Sequence, residues 1–192
     1  MLGVQHLYQN KVVHRDLNIK NVLIHYTDLE LSREDLQRMS EFWFRKSFQN
    51  KLEAQLKKRL QSCNFVIKIA DLGYARKLLH GAFAESLKGT PLLYAPELII
   101  KRIYNHKVDV WGIANIFYSG LTGRLLFEQQ NGDYEKQLEK GTWTVPFDVK
   151  LSAEALNFLH DLLKFEPEKR LSIDQLVNHP YLNIPLTDLK PF

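Results

Sequence analysis

His14-Arg15-Asp16-Leu17-Asn18-Ile19-Lys20-Asn21 runs directly into the apolar triplet Val22-Leu23-Ile24. An aspartate placed a few residues before an asparagine, just ahead of a strand, brings a carboxylate and an amide oxygen to one loop mouth. Phosphoryl transfer uses that combination. A carboxylate orients the attacking hydroxyl and accepts its proton, while the amide oxygen is a hard ligand for Mg²⁺. The string alone is also compatible with a polar turn after a helix, in which His14 is a satisfied structural histidine.

Moving outward, a second strand-like run, Phe65-Val66-Ile67-Lys68-Ile69-Ala70, ends in Asp71-Leu72-Gly73. A carboxylate there, opposite Asn21, can complete a metal site, and Gly73 lets the chain turn sharply, although an isolated Asp-x-Gly usually marks only a turn. Three further markers follow: Gly89-Thr90-Pro91-Leu92-Leu93-Tyr94-Ala95-Pro96-Glu97, then Asp109-Val110-Trp111-Gly112, then Glu166-Pro167-Glu168-Lys169-Arg170-Leu171. Each is unremarkable alone. Their order, with suitable elements between them, is what carries weight.

The elements are read from periodicity and caps. Met1 to Asn10 has Val4, Leu7 and Tyr8 at helical spacing and reads as the tail of a helix. Val108 to Ser119 is strongly apolar and reads as a buried helix. Leu151 to Lys164 places Leu156, Leu159, Leu162 and Leu163 on one face behind a Ser152 N-cap, and Ser172 opens another short helix that Pro180 helps to stop. Short strands, a loop-rich middle and a helical second half predict an α+β fold, mostly helical.

The chain has 192 residues, 45% of them hydrophobic and 25% charged, ordinary values that exclude a wholly disordered chain, a collagen and a disulfide-rich mini-protein. The single cysteine, Cys63, calls for no oxidising compartment. Met1 to His6 lacks the basic and apolar regions of a signal peptide, and the longest apolar stretch is too short to span a bilayer. No transmembrane segment is expected, and the default location is cytoplasmic or nuclear.

The net charge of +4 is concentrated. Between Ser32 and Ser62, Arg33, Arg38, Arg45, Lys46, Lys51, Lys57, Lys58 and Arg59 face only Glu34, Asp35, Glu41 and Glu53. Acid-to-base pairs Glu34/Arg38, Glu41/Arg45 and Glu53/Lys57 predict a basic helical insert at about 27–63. A docking helix for a regulatory partner is one reading of it, supported by Phe42-Trp43-Phe44. An ordinary solvated helix whose aromatics pack on the domain is the preferred one, and nucleic acid is not favoured as a partner.

Taken together, the five markers resemble the large, C-terminal lobe of a eukaryotic protein kinase, from about Val4 to Leu182. Within that family, Val66 to Arg76 and Phe83 to Pro96 are most similar to the autophagy-initiating serine/threonine kinases. The resemblance implies a kinase-like C-lobe with a short β hairpin at the catalytic and metal loops, ATP and Mg²⁺ as cofactors, and a protein substrate. It implies Asp16 as the catalytic base, Asn21 and Asp71 as metal ligands, and Arg15 as the cation receiving an activation-loop phosphate. Ser86 then falls at an activating phosphosite and Thr90 in the substrate loop. Glu97 and Arg170 form a buried ion pair, and Asp109 holds the catalytic loop through its backbone.

The departures are also legible. Only residues 1–13 precede His14, so the glycine-rich loop and strand lysine of the N-lobe are expected to be missing, with activity of the chain alone in question and apolar surface exposed. A non-catalytic kinase-lobe interaction module is the alternative function. Asn18 stands where serine/threonine kinases of this family place a lysine, and Lys20 either assists the phosphate from a later position or is simply solvated. Leu72 replaces the more usual phenylalanine and is expected to serve as an apolar plug.

Overall fold

The computed structural model describes residues 1–27, 64–78, 93–100, 104–127 and 141–183. The predicted basic helix, Cys63, Ser86 and Thr90 lie outside them. The chain divides into two compact units, Met1–Val22 with Ala70–Phe192, and Leu23–Ile69.

The larger unit opens with α1, Leu2–Gln9, closed by Asn10, whose Nδ2 donates to the His6 carbonyl at 2.8 Å. The chain then turns through Lys11, at φ 59°, into β1, Val12–Val13. That strand pairs antiparallel with β4, Arg76–Lys77, with Val12 opposite Lys77 and Val13 opposite Arg76. The register matters because it ties the segment just before His14 to the segment just after Asp71.

Helices follow: α2, Pro96–Ile100; α3, Lys107–Thr122; α4, Ala153–Leu162; and α5, Ile173–Val177. Helix α3 extends the predicted span at both ends. It is apolar nearly all round, with Val110, Trp111 and Ala114 fully buried, which is the signature of a core helix. Gly123 ends it at φ 69°, in the left-handed conformation that a glycine adopts without strain, and its N–H donates to the Ser119 carbonyl. Helix α4 packs on α3, where Phe117 meets Phe158 edge to face at 5.0 Å.

The predicted hydroxyl caps are both present. Ser152 Oγ accepts from the Ala155 N–H at 3.2 Å. Ser172 and Gln175 form a reciprocal capping box at the start of α5, which satisfies two otherwise orphaned backbone donors. The buried face of α4 differs somewhat from the expected leucine stripe. Ala155, Phe158, Leu159 and Leu162 form it, at the i, i+3, i+4, i+7 spacing of one helical face, and Leu156 is only half-buried.

The described residues of the smaller unit form most of a strand pair, β2 (Val22–Tyr26) with β3 (Phe65–Ile69). At its far end the Thr27 N–H donates to the Asn64 carbonyl at 3.0 Å, and Tyr26 meets Phe65 edge-on. Leu23, Ile24, Phe65, Val66 and Ile67 are each about half exposed, so apolar surface is open on this hairpin. Among the described residues, no helix is long and apolar enough to cross a membrane.

Candidate active site

Residues 14–21 form a loop between β1 and β2 that closes on itself through side-chain amides. Asn21 Nδ2 donates to the Asp16 carbonyl at 2.8 Å and to Asp16 Oδ2 at 2.9 Å. Its nitrogen being committed to the loop, Asn21 offers its carbonyl oxygen Oδ1 as a ligating atom. Asp16 is half-buried and Asn21 likewise, so the pair sits at a mouth rather than in the core.

The residue before Asp71 is tied to this loop by hydrogen bonds. The Ala70 N–H donates to the Asn21 carbonyl at 2.9 Å, and His14 Nε2 lies 3.0 Å from the Ala70 carbonyl. Asp71 itself adopts a left-handed backbone, φ 61° and ψ 74°, and caps the short turn Leu72–Tyr74 by accepting the Gly73 N–H at 3.1 Å. A Cβ at Gly73 would stand 2.9 Å from Asp71 Oδ1, so a side chain there would push the Asp71 carboxylate aside. Arg15, at φ 70°, is likewise left-handed and not glycine. Such conformations cost on the order of 1–3 kcal/mol and cluster at functional sites.

The loop is held from beneath by a single carboxylate. Asp109, near the start of α3, accepts the His14 N–H at Oδ2 (2.8 Å) and the Arg15 N–H at Oδ1 (2.9 Å). Burial raises the Asp109 carboxyl to about 6, outweighing these two hydrogen bonds, which act in the opposite direction. One helix turn further in, Gly112 admits Leu17. A Cβ on Gly112 would lie 2.5 Å from the Leu17 carbonyl oxygen, closer than any packing allows. The floor of the loop therefore depends on the absence of a side chain.

Glu97 and Arg170 meet as the sequence predicts. Arg170 is 1% exposed and bonds both carboxylate oxygens of Glu97, at 2.9 and 3.1 Å. Its remaining donors reach the carbonyls of Lys107 and Lys164, and its guanidinium lies over the Trp111 ring. Lys107 Nζ returns a hydrogen bond to the Arg170 carbonyl. Burial lowers the Lys107 ammonium pKa, with the Arg170 charge a second cause.

A family model for the protein kinase domain matches residues 1–182. The chain belongs to the protein kinase family. It is similar to the DNA damage response protein kinase DUN1 of Saccharomyces cerevisiae, at 28% identity over 95% of this chain and 33% of that protein. It is similar to human serine/threonine-protein kinase D2, at 31% identity over 60% of this chain and 13% of that one. Serine/threonine-protein kinase apg-1 of Neurospora crassa is 33% identical over 65% of this chain and 13% of that one. This kinase chain therefore spans a third or less of the length of these relatives.

In this kinase domain the structure brings Asp16 to Asn21 directly, Asp71 to Asn21 through Ala70, Asp109 to His14 and Arg15, and Glu97 to Arg170. Lys20 is exposed, and its part in the loop is the backbone N–H that Asn18 accepts. Leu72 departs from expectation. It is 56% exposed rather than an apolar plug, because the turn that begins at left-handed Asp71 carries it out of the core.

Sequence reasoning missed several residues around the site. Arg15 Nε donates to the Tyr74 carbonyl at 2.6 Å, and its Nη1 to the Tyr104 hydroxyl at 3.3 Å, with the Tyr104 ring 5.5 Å from the guanidinium. Tyr94 is buried beside Ala95-Pro96-Glu97, and burial, then the charge of Asp16, raises its phenol above the ordinary value. Its position just before that tripeptide was the available signal. Tyr74 and Tyr104 had none, since they act on Arg15 only once the chain has folded.

Proposed function

We propose that this chain is a protein serine/threonine kinase domain, transferring a phosphoryl group from MgATP to a protein hydroxyl. The observation that carries the proposal is the hydrogen-bonded pair of Asp16 and Asn21, with Asp71 one residue from their backbone bridge. We assign the described elements to the helix-rich lobe of the kinase fold, with residues 27–63 inserted between β2 and β3.

The donor set fits Mg²⁺. Asn21 contributes an amide oxygen and Asp71 an exposed carboxylate, both hard oxygen donors of the kind that cation takes. Mg²⁺ and ATP supply the electrophilic phosphoryl group and neutralise its charge. Asp16 then orients the substrate hydroxyl and takes its proton. Asp109 and Gly112 set the depth and attitude of the loop that presents Asp16. Arg15, held by Tyr74 and Tyr104, is assigned to an activation-loop phosphate, with Ser86 as the phosphosite and Thr90 in the substrate loop. Lys20, on the exposed side of the loop, is available to the phosphates. A protein substrate follows from the family, and a location in the cytoplasm is proposed with it.

The test is phosphate transfer to a generic basic protein with MgATP, on the wild type and on Asp16→Ala. Transfer is expected from the wild type and abolished in the variant, while the rise in melting temperature with MgATP persists in both. Equal turnover in the two proteins overturns the assignment of Asp16. A wild-type chain that neither transfers phosphate nor is stabilised by MgATP overturns the kinase proposal in favour of an interaction module.

A further inference from the structure

Asn18 occupies the position at which related kinases carry a lysine, yet it is not a passive replacement. It is 4% exposed, the most buried polar side chain of the loop after His14. Its Nδ2 donates to Asp16 Oδ1 at 3.1 Å and to the Asp16 carbonyl at 3.1 Å. Its Oδ1 accepts the Lys20 N–H at 2.9 Å and so caps the turn Ile19–Asn21. Asn21, on the other side, holds Asp16 Oδ2 and the same carbonyl.

Two amides therefore grip one carboxylate, one oxygen each. A carboxylate turns easily about its last torsion, whose energy profile is broad. Donors fixed on both oxygens remove that freedom and leave only the outer lone pairs for a substrate hydroxyl. A lysine at this position could not do the same. Its ammonium has no acceptor, so the Lys20 N–H would lose its cap, and its long flexible stem would not hold one oxygen in a set direction.

We propose that Asn18 is a positioning residue for Asp16, fixing the plane of its carboxylate for attack by the substrate hydroxyl. The proposal rests on the kinase reading for its consequence on rate, but the grip itself is a statement about the loop. Orientation of a reacting group is worth orders of magnitude, because small misplacement of the base removes near-attack geometry.

The decisive variant is Asn18→Asp in the full chain. It keeps an oxygen for the Lys20 N–H, so the cap survives, but it has no donor for Asp16 and faces it with a second negative charge. If Asn18 only caps the turn, Asn18→Asp turns over like the wild type and Asn18→Ala is the worse of the two. If it positions Asp16, both variants lose roughly 10- to 100-fold in kcat with KM for MgATP unchanged. Wild-type turnover in Asn18→Asp overturns the proposal.

A second measurement is independent of activity. The side-chain amide protons of Asn18, followed by NMR hydrogen exchange, are expected to be protected in the wild type. One of the two should exchange at least about tenfold faster in Asp16→Ala, where its acceptor is gone. Unchanged protection there overturns the grip. Should the wild type transfer no phosphate while this exchange difference appears, the kinase reading fails and the grip stands.

Discussion

The Glu97–Arg170 pair and the Asp16–Asn18–Asn21 loop both hold carboxylates with nitrogen donors, yet they do so under opposite conditions. Around Arg170 the site is buried: the guanidinium bonds both oxygens of Glu97 and three backbone carbonyls, and lies over an indole face. Every polar atom of the Arg170 and Glu97 side chains is committed. At the mouth, the donors are neutral amides, and the carboxylates of Asp16 and Asp71 remain partly or fully exposed. A buried charge is tolerated only when fully paired, whereas a half-exposed one can be oriented and still be offered to a substrate. The first arrangement leaves its carboxylate almost no access to solvent, and the second leaves carboxylate oxygens open to it.

The largest effect expected from breaking that contrast is at the clamp. Arg170→Ala leaves Glu97 buried and unpaired, and should cost about 3–5 kcal/mol, enough to unfold or loosen the domain. A melting temperature unchanged by the substitution would show that the pair carries no stability. No comparable loss of stability is expected from Asp16→Ala, whose carboxylate is half-exposed.

Asp109 joins the two regions, since it is buried like the clamp but serves the loop. Folded Asp109 keeps its proton up to about pH 6, whereas the unfolded chain releases it near 3.8. The folded state thus binds more protons between those values, and stability contributed by Asp109 falls as pH rises through the window. Urea unfolding of the wild type against Asp109→Asn should show the difference shrinking over that range, by at most about 1.4 kcal/mol for each pH unit. A difference independent of pH would place the carboxyl in an ordinary, hydrated setting.

A smaller effect sharpens the comparison at the loop floor. Gly112→Ala gains roughly 1 kcal/mol of helix propensity but must push back the Leu17 carbonyl, and overpacking of this kind costs about 1–3 kcal/mol. The net is a destabilisation of about 1 kcal/mol, small beside Arg170→Ala, read as a lower urea midpoint. Its effect on phosphate transfer should exceed its effect on stability, because the displaced residue is next to Asp16. An unchanged or raised midpoint would mean that the loop relaxes freely.

Much of this was legible in the chain itself. The helices announced themselves through spacing and caps, Ser152 and Ser172 above all, because such signals act within a few residues. The hydrogen-bonded pair Asp16 and Asn21 lies within one loop, so its nearness along the chain could be read locally, and Asp71 closely follows a strand. What local pattern could not show was that Asn18 donates to both the carboxylate and the carbonyl of Asp16. Its value comes from where its amide points, and that depends on the turn at Ile19–Asn21. The exposure of Leu72 was missed for a similar reason, since it is set by the folded surroundings of the turn after Asp71 and not by the apolar character of the residue itself.

Residue identity and order alone determined the family and much of the order of the elements, because those depend on chemistry carried by each side chain and on short-range periodicity. Only the tertiary structure decided which polar groups are satisfied and which are left available. Arg170 is consumed by neighbours separated from it by up to 73 residues, Asp109 reaches 95 residues back to His14, and Gly112 matters only because Leu17 lies against it. Contacts across such distances along the chain exist only after collapse, when burial drives most polar atoms to find a partner or keep to the surface.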